Sequence, residues 1–100
     1  MSQQLLEREL TVSQILRTYG QQFIQIKKKY SDRHNGRCAI GVIMSYYSWD
    51  GKENAFGSEE LLNALLALRH AGISTDLIID MNDSGMTFNE IAGFLDRIGN

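Results

Sequence analysis

The heaviest constraint on this chain is a thirteen-residue apolar stretch, Arg37 to Trp49, fenced by Asn35-Gly36 before it and Asp50-Gly51 after it. Its apolar side chains run nearly all round, so whatever element forms there must be enclosed by the rest of the molecule. Ile40, Val42 and Ile43 would suit a buried strand. Ala39, Val42, Ile43, Tyr46 and Tyr47 also recur at helical steps, and no second strand pattern stands nearby to pair with them, so a central helix over residues 37–49 is expected. One hundred residues supply one core and one domain, 1–100. The remaining elements must wrap that helix.

Proline is absent, so glycines and capping residues have to mark the helix ends. Thr11 and Gln14 form a capping box that opens a helix expected to run to about Tyr30, with Val12, Ile15, Leu16, Tyr19, Phe23, Ile26 and Tyr30 on its buried face. Gly20 costs that helix about 1 kcal/mol against alanine and leaves room for a close neighbour. Leu5, Leu6 and Leu10 mark a short, loosely attached helix over residues 1–10. Ser31 to Gly36 is a loop, as is Lys52 to Gly57. Ser58 caps a helix from Glu59 to Ala71, and Gly72 stops it. Ser74 opens a shorter helix through Leu77, Ile78 and Met81, ended by Gly85. Thr87 and Glu90 form a second capping box before Ile91, Phe94, Leu95 and Ile98. The expected fold is all-α, one small orthogonal domain of five or six helices around the central one.

Composition excludes several classes. Apolar residues are 43% and charged residues 22%, ordinary globular usage. Cys38 is the single cysteine, which rules out an intramolecular disulfide and suits a reducing compartment. No apolar run is long enough to cross a bilayer and no apolar signal region follows Met1, so a cytoplasmic protein without membrane contact is expected. Charge is divided along the chain. Residues 1–38 hold seven Lys/Arg against three Asp/Glu, net +4, and residues 39–100 hold three against nine, net −6. Such a division would hold the two ends together, drive head-to-tail association or offer each end to a different partner, or simply solvate two faces.

The segment Asp80 to Glu90 comes within one residue of a calcium-binding loop. Asp80, Asn82 and Ser84 occupy its first three side-chain ligand positions and Gly85 its turn, but Glu90 falls one place short of the bidentate position, where Ile91 stands. One residue rotates a helical side chain by about 100°, so Glu90 would point away from an ion held by Asp80 and Asn82. Helix capping accounts for the segment, and no metal or cofactor is expected. Ala71-Gly72-Ile73-Ser74 and Ile78 match the turn of a DNA-reading helix pair, yet the second helix presents Asp76 and Asp80 and no cation to phosphates.

Lys27, Lys28, Lys29, Arg33, His34 and Arg37 lie within eleven residues, with Asp32 the one acid among them. This set, Lys27, Lys28, Lys29, Arg33 and Arg37 in particular, would grip phosphates without reading bases, or would simply complement a helix C-terminus. His34 and Cys38 have the separation of a base and nucleophile on one helix, but Asn35-Gly36 between them breaks that turn, and no third orienting group follows. His70, near a helix C-terminus, is expected as a helix-capping group or a plain surface residue. No enzyme is expected.

Two stretches together, Arg37-Cys38-Ala39-Ile40-Gly41-Val42-Ile43-Met44 and, roughly forty residues on, Asn82-Asp83-Ser84-Gly85-Met86-Thr87-Phe88-Asn89-Glu90-Ile91, resemble a pattern in small uncharacterised bacterial and phage helical proteins, a domain of unknown function. There a Cys-Ala-x-Gly helix accompanies an Asn-Asp turn and a Thr-x-x-Glu helix start. Met81 stands where that pattern usually has an aromatic residue. The resemblance covers about the last two-thirds of the chain. It implies a helical domain in which Cys38, Asn82 and Asp83 serve the fold, and it brings no activity with it. The functional expectation is a non-enzymatic interaction or accessory module, binding a protein partner or itself, with Tyr46, Tyr47 and Trp49 as partner anchors or as core. Phosphate or nucleic-acid binding through residues 27–37 is the alternative.

Overall fold

The computed structural model describes residues 10–98, and the helix expected over residues 1–10 falls, apart from Leu10, outside them. The domain is predominantly α-helical, with five α-helices among the described residues: α1 Val12–Thr18, α2 Ala39–Tyr46, α3 Glu59–His70, α4 Thr75–Asp83 and α5 Phe88–Arg97. Two very short strands, β1 Ile24–Gln25 and β2 Gly36–Arg37, pair in parallel with Ile24 opposite Gly36.

The expected central helix is α2, shorter than the stretch that encodes it. Ala39 to Met44 are buried without a break, and α1, α3 and α4 all pack on it. Cys38 caps it, its Sγ accepting the Gly41 N–H at 3.4 Å. Ser48, at φ 82°, supplies the left-handed residue that ends it, ahead of Asp50-Gly51. Gly41 is required by packing: a Cβ there would collide with the Tyr30 carbonyl oxygen and stand 3.2 Å from Arg37 Cδ. Both expected capping boxes form, Thr11 with Gln14 and Thr87 with Glu90, and Ser58 and Ser74 cap α3 and α4.

The helix expected from Thr11 to Tyr30 does not. α1 ends at Thr18, a 3-10 turn covers Tyr19–Gln22, and the chain runs extended from Phe23. Tertiary hydrogen bonds outweigh the helical pattern here. The Ile24 and Ile26 N–H groups donate to the Asn35 and Arg37 carbonyls, at 2.9 and 3.0 Å. The Gln25 amide spans the start of α5, accepting the Phe88 N–H at 3.0 Å and donating to the Met86 carbonyl at 2.7 Å. β-Branched Ile24 and Ile26 tolerate that extended course. Gly20 does admit a close neighbour: a Cβ there would lie 2.8 Å from the Phe88 ring. α1 then lies along α5, fixed by Asp96, which accepts from Ser13 Oγ at 2.7 Å and pairs with Arg17 at 2.5 Å. The Ser13 hydrogen bond, followed by the Arg17 charge, holds the Asp96 carboxyl below its usual pKa.

Candidate functional site

Two buried polar side chains organise the ground between the strands and α2. Asn82, on α4, is 1% exposed. Its Oδ1 accepts the Gln25 amide at 2.8 Å and the Ala39 N–H at 3.0 Å, and its Nδ2 donates to the Ile26 carbonyl at 2.8 Å. One amide therefore satisfies the first free N–H of α2, an otherwise orphaned donor at a helix start, and ties it to α4 and to the loop after β1. The Cys-Ala-x-Gly and Asn-Asp stretches meet at this contact. Asp83 extends the knot, accepting the Lys28 N–H at 3.0 Å and holding Lys28 at φ 69°.

Arg37 is 4% exposed and turns inward. Its guanidinium lies over the Phe23 ring at 4.5 Å and the Trp49 ring at 5.6 Å. It donates to Ser31 Oγ, Ser45 Oγ and the carbonyls of His34, Gly36 and Asp50, at 2.9–3.3 Å. Burial pushes its pKa down, and the charges of Asp32 and Asp50 pull it back up. Those two carboxylates are themselves held below their ordinary pKa by backbone N–H donors, His34 and Gly36 for Asp32, Lys52 and Glu53 for Asp50. Arg37 thus leaves the expected phosphate-binding set, because its donors are spent on the fold. Lys27, Lys28, Lys29 and Arg33 remain exposed, and none has a carboxylate within ion-pair distance among the described residues.

Beside the Asn82 knot an open cavity of about 490 Å³ enters the domain. Its wall is apolar, made by Tyr30, Cys38, Ile40, Ile78 and Ile79, with Phe56 at the lip, and Lys28, Lys29 and Asp83 border it. The volume lies within the range of about 300–1,000 Å³ usual for ligand pockets. Phe56 is 72% exposed, in tilted contact with the Tyr30 ring at 5.9 Å between centroids. Burial raises the Cys38 thiol, so at neutral pH it presents a neutral, weakly polar surface to the cavity. Tyr30 is raised likewise, by burial first and then by Cys38. A second cleft, of about 510 Å³, lies between Tyr47, Leu66 and His70 and borders Leu10, where the described residues begin.

The expected partner anchors divide. Trp49 is buried, donating from Nε1 to the Glu53 carbonyl at 3.2 Å, and so belongs to the core. Tyr46 and Tyr47 are half-buried and stack edge-on with each other at 5.0 Å. The calcium candidates do not converge. Asp80 and Asn82 lie within α4, Asn82 is committed as above, Ser84 Oγ donates to the Met81 carbonyl, and Glu90 closes its capping box. Among the described residues no three His, Cys, Asp or Glu side chains gather as metal ligands. His34 and Cys38 share no hydrogen bond, the first exposed in its loop and the second buried at its cap. No described helix is long and apolar enough to span a membrane.

Sequence reasoning missed the cavity and its lip. Phe56 stands alone as an aromatic in the polar loop Lys52 to Gly57, and an isolated aromatic in such a loop was the available signal. Comparison with known proteins yields no matching family model, no significantly similar curated protein and no significantly similar solved structure.

Proposed function

We propose that this domain is a non-enzymatic protein-interaction module of the cytoplasm, which receives an apolar side chain of a partner protein in the cavity behind Phe56. The observation that carries this reading is the exposed Phe56 ring standing at the mouth of an open apolar cavity. Binding energy at protein interfaces concentrates where an aromatic anchor meets a desolvated pocket. A ring left 72% exposed buries little apolar area for the fold, its aromatic contact being with half-buried Tyr30. The lone thiol of Cys38 accords with a reducing cytoplasm.

A photo-crosslinking amino acid in place of Phe56, in cells expressing the full chain, tests it. The expected result is one discrete adduct, absent when the same probe replaces exposed Leu62 and lost when Ile79 is changed to Lys. An adduct at twice the chain's own mass identifies self-association as the form the interaction takes. Equal, diffuse labelling from positions 56 and 62 overturns the proposal. The alternative, phosphate or nucleic-acid binding, now rests on Lys27, Lys28, Lys29 and Arg33 without Arg37. It requires oligonucleotide affinity that falls steeply with salt and is not weakened by Ile79→Lys.

A further inference from the structure

Resting on that reading, the chemistry of the mouth narrows the partner. The cavity wall is mainly apolar, the Cys38 thiol in it is neutral and the Asn82 amide is committed to its own hydrogen bonds, so what enters fully is an uncharged aliphatic or aromatic side chain. The border is different. Lys28 and Lys29 stand there against Asp83 alone. The Asp83 Oδ1 is already engaged by the Lys28 N–H and the Asn82 amide, whereas neither ammonium has a carboxylate within 4.0 Å among the described residues. The mouth is therefore net positive. The left-handed backbone of Lys28, held by Asp83, keeps both lysines beside the cavity.

We infer that the partner presents a short acidic segment, one large apolar side chain flanked closely by Asp or Glu, with the apolar group seated between Tyr30, Phe56 and Ile79 and the carboxylates against Lys28 and Lys29. The apolar contact supplies affinity, and the lysines supply selection of charge and a faster encounter.

Selection of random dodecapeptides displayed on phage against the immobilised full chain tests the inference, with Ile79→Lys and the double variant Lys28→Glu/Lys29→Glu as comparison baits. Circular dichroism establishes that each variant is folded. The wild-type chain is expected to enrich peptides with one Leu, Ile, Phe or Trp next to acids. Their synthetic counterparts are expected to bind at least tenfold more weakly to the double variant and in high salt. On the double variant, selection is expected to favour lysine beside the same apolar residue. Apolar peptides with no acidic bias that still require Ile79 overturn the inference and leave the interaction reading standing. No Ile79-dependent peptide, together with no discrete adduct from position 56, overturns both. A labelled single-stranded oligonucleotide that binds through Lys28 and Lys29 and competes with the peptides overturns the inference in favour of phosphate.

Discussion

Asn82→Ala is the perturbation that most directly tests how this fold is held. The substitution removes an amide that is almost wholly enclosed and whose partners come from two separate segments, Gln25-Ile26 and the start of α2 at Ala39. The Ala39 N–H sits at the buried N-terminus of α2 and would have no other acceptor, and the Ile26 carbonyl loses its donor. A buried polar group left unsatisfied costs about 1–3 kcal/mol, and the half-buried Ile26 carbonyl belongs at the low end of that range. Gln25 keeps its bonds to Met86 and Phe88, so its loss is smaller. With a cavity contribution of about 1 kcal/mol for the deleted atoms, the expected destabilisation is roughly 3–5 kcal/mol. A domain of this size holds only about 5–15 kcal/mol in total, and such a loss lowers Tm by roughly 12–40 °C. Trp49, the single tryptophan, is buried and reports unfolding by fluorescence in urea. A double-mutant cycle with Gln25→Ala isolates the 2.8 Å amide pair, with an expected coupling of about 0.5–1.5 kcal/mol. Destabilisation below about 1 kcal/mol, or coupling indistinguishable from zero, would refute the claim that this amide joins β1, α2 and α4.

Two further predictions concern charge. Arg37→Lys is expected to destabilise by roughly 2–3 kcal/mol, at least as much as Arg37→Met, because a compact ammonium cannot reach acceptors spread from Ser31 to Asp50 as the planar fork does; urea midpoints of the two variants compare them. Asp32, Asp50 and Asp96 all have folded-state pKa values below the ordinary 3.8, so their contribution is present above that value and is lost as pH falls through the depressed ones. Stability should therefore decline below about pH 4, and the triple Asp→Asn variant should show a flatter decline between pH 5 and pH 3 in urea titrations. An unchanged slope would mean that these carboxylates titrate alike in the folded and unfolded chain.

Local chemistry was legible wherever a signal and its consequence lie within a few residues of each other. Thr11 with Gln14 and Thr87 with Glu90 cap the helices that their spacing announces, because the donor and acceptor are neighbours in any chain that turns there. The apolar stretch around Ile40 and Ile43 becomes the enclosed helix, since nothing in it could face water. The candidate site was not legible in the same way. Trp49 read as anchor or core and is core, and Arg37, one of a basic set read as phosphate ligands or helix-end cations, turns inward onto five acceptors. Sequence places an arginine among lysines but does not say which one finds two aromatic faces and five acceptors.

From Thr11 to about Tyr30 the residues alone specify a helix start and an apolar stripe, and the helix forms as far as Thr18, with a 3-10 turn to Gln22. What ends the stripe early comes from far along the chain: Arg37 and Asn35 accept its backbone, and Met86 and Phe88 hold Gln25. Helical periodicity is a preference of a few tenths of a kcal/mol per residue, whereas a buried donor or acceptor left unpaired costs more than that at a single position. Capping, punctuation and the enclosed helix therefore followed from the chain's own order. The Asn82 knot, the inward Arg37 and the cavity behind Phe56 exist only because distant segments close on one another, where unmet hydrogen bonds outweigh local preference.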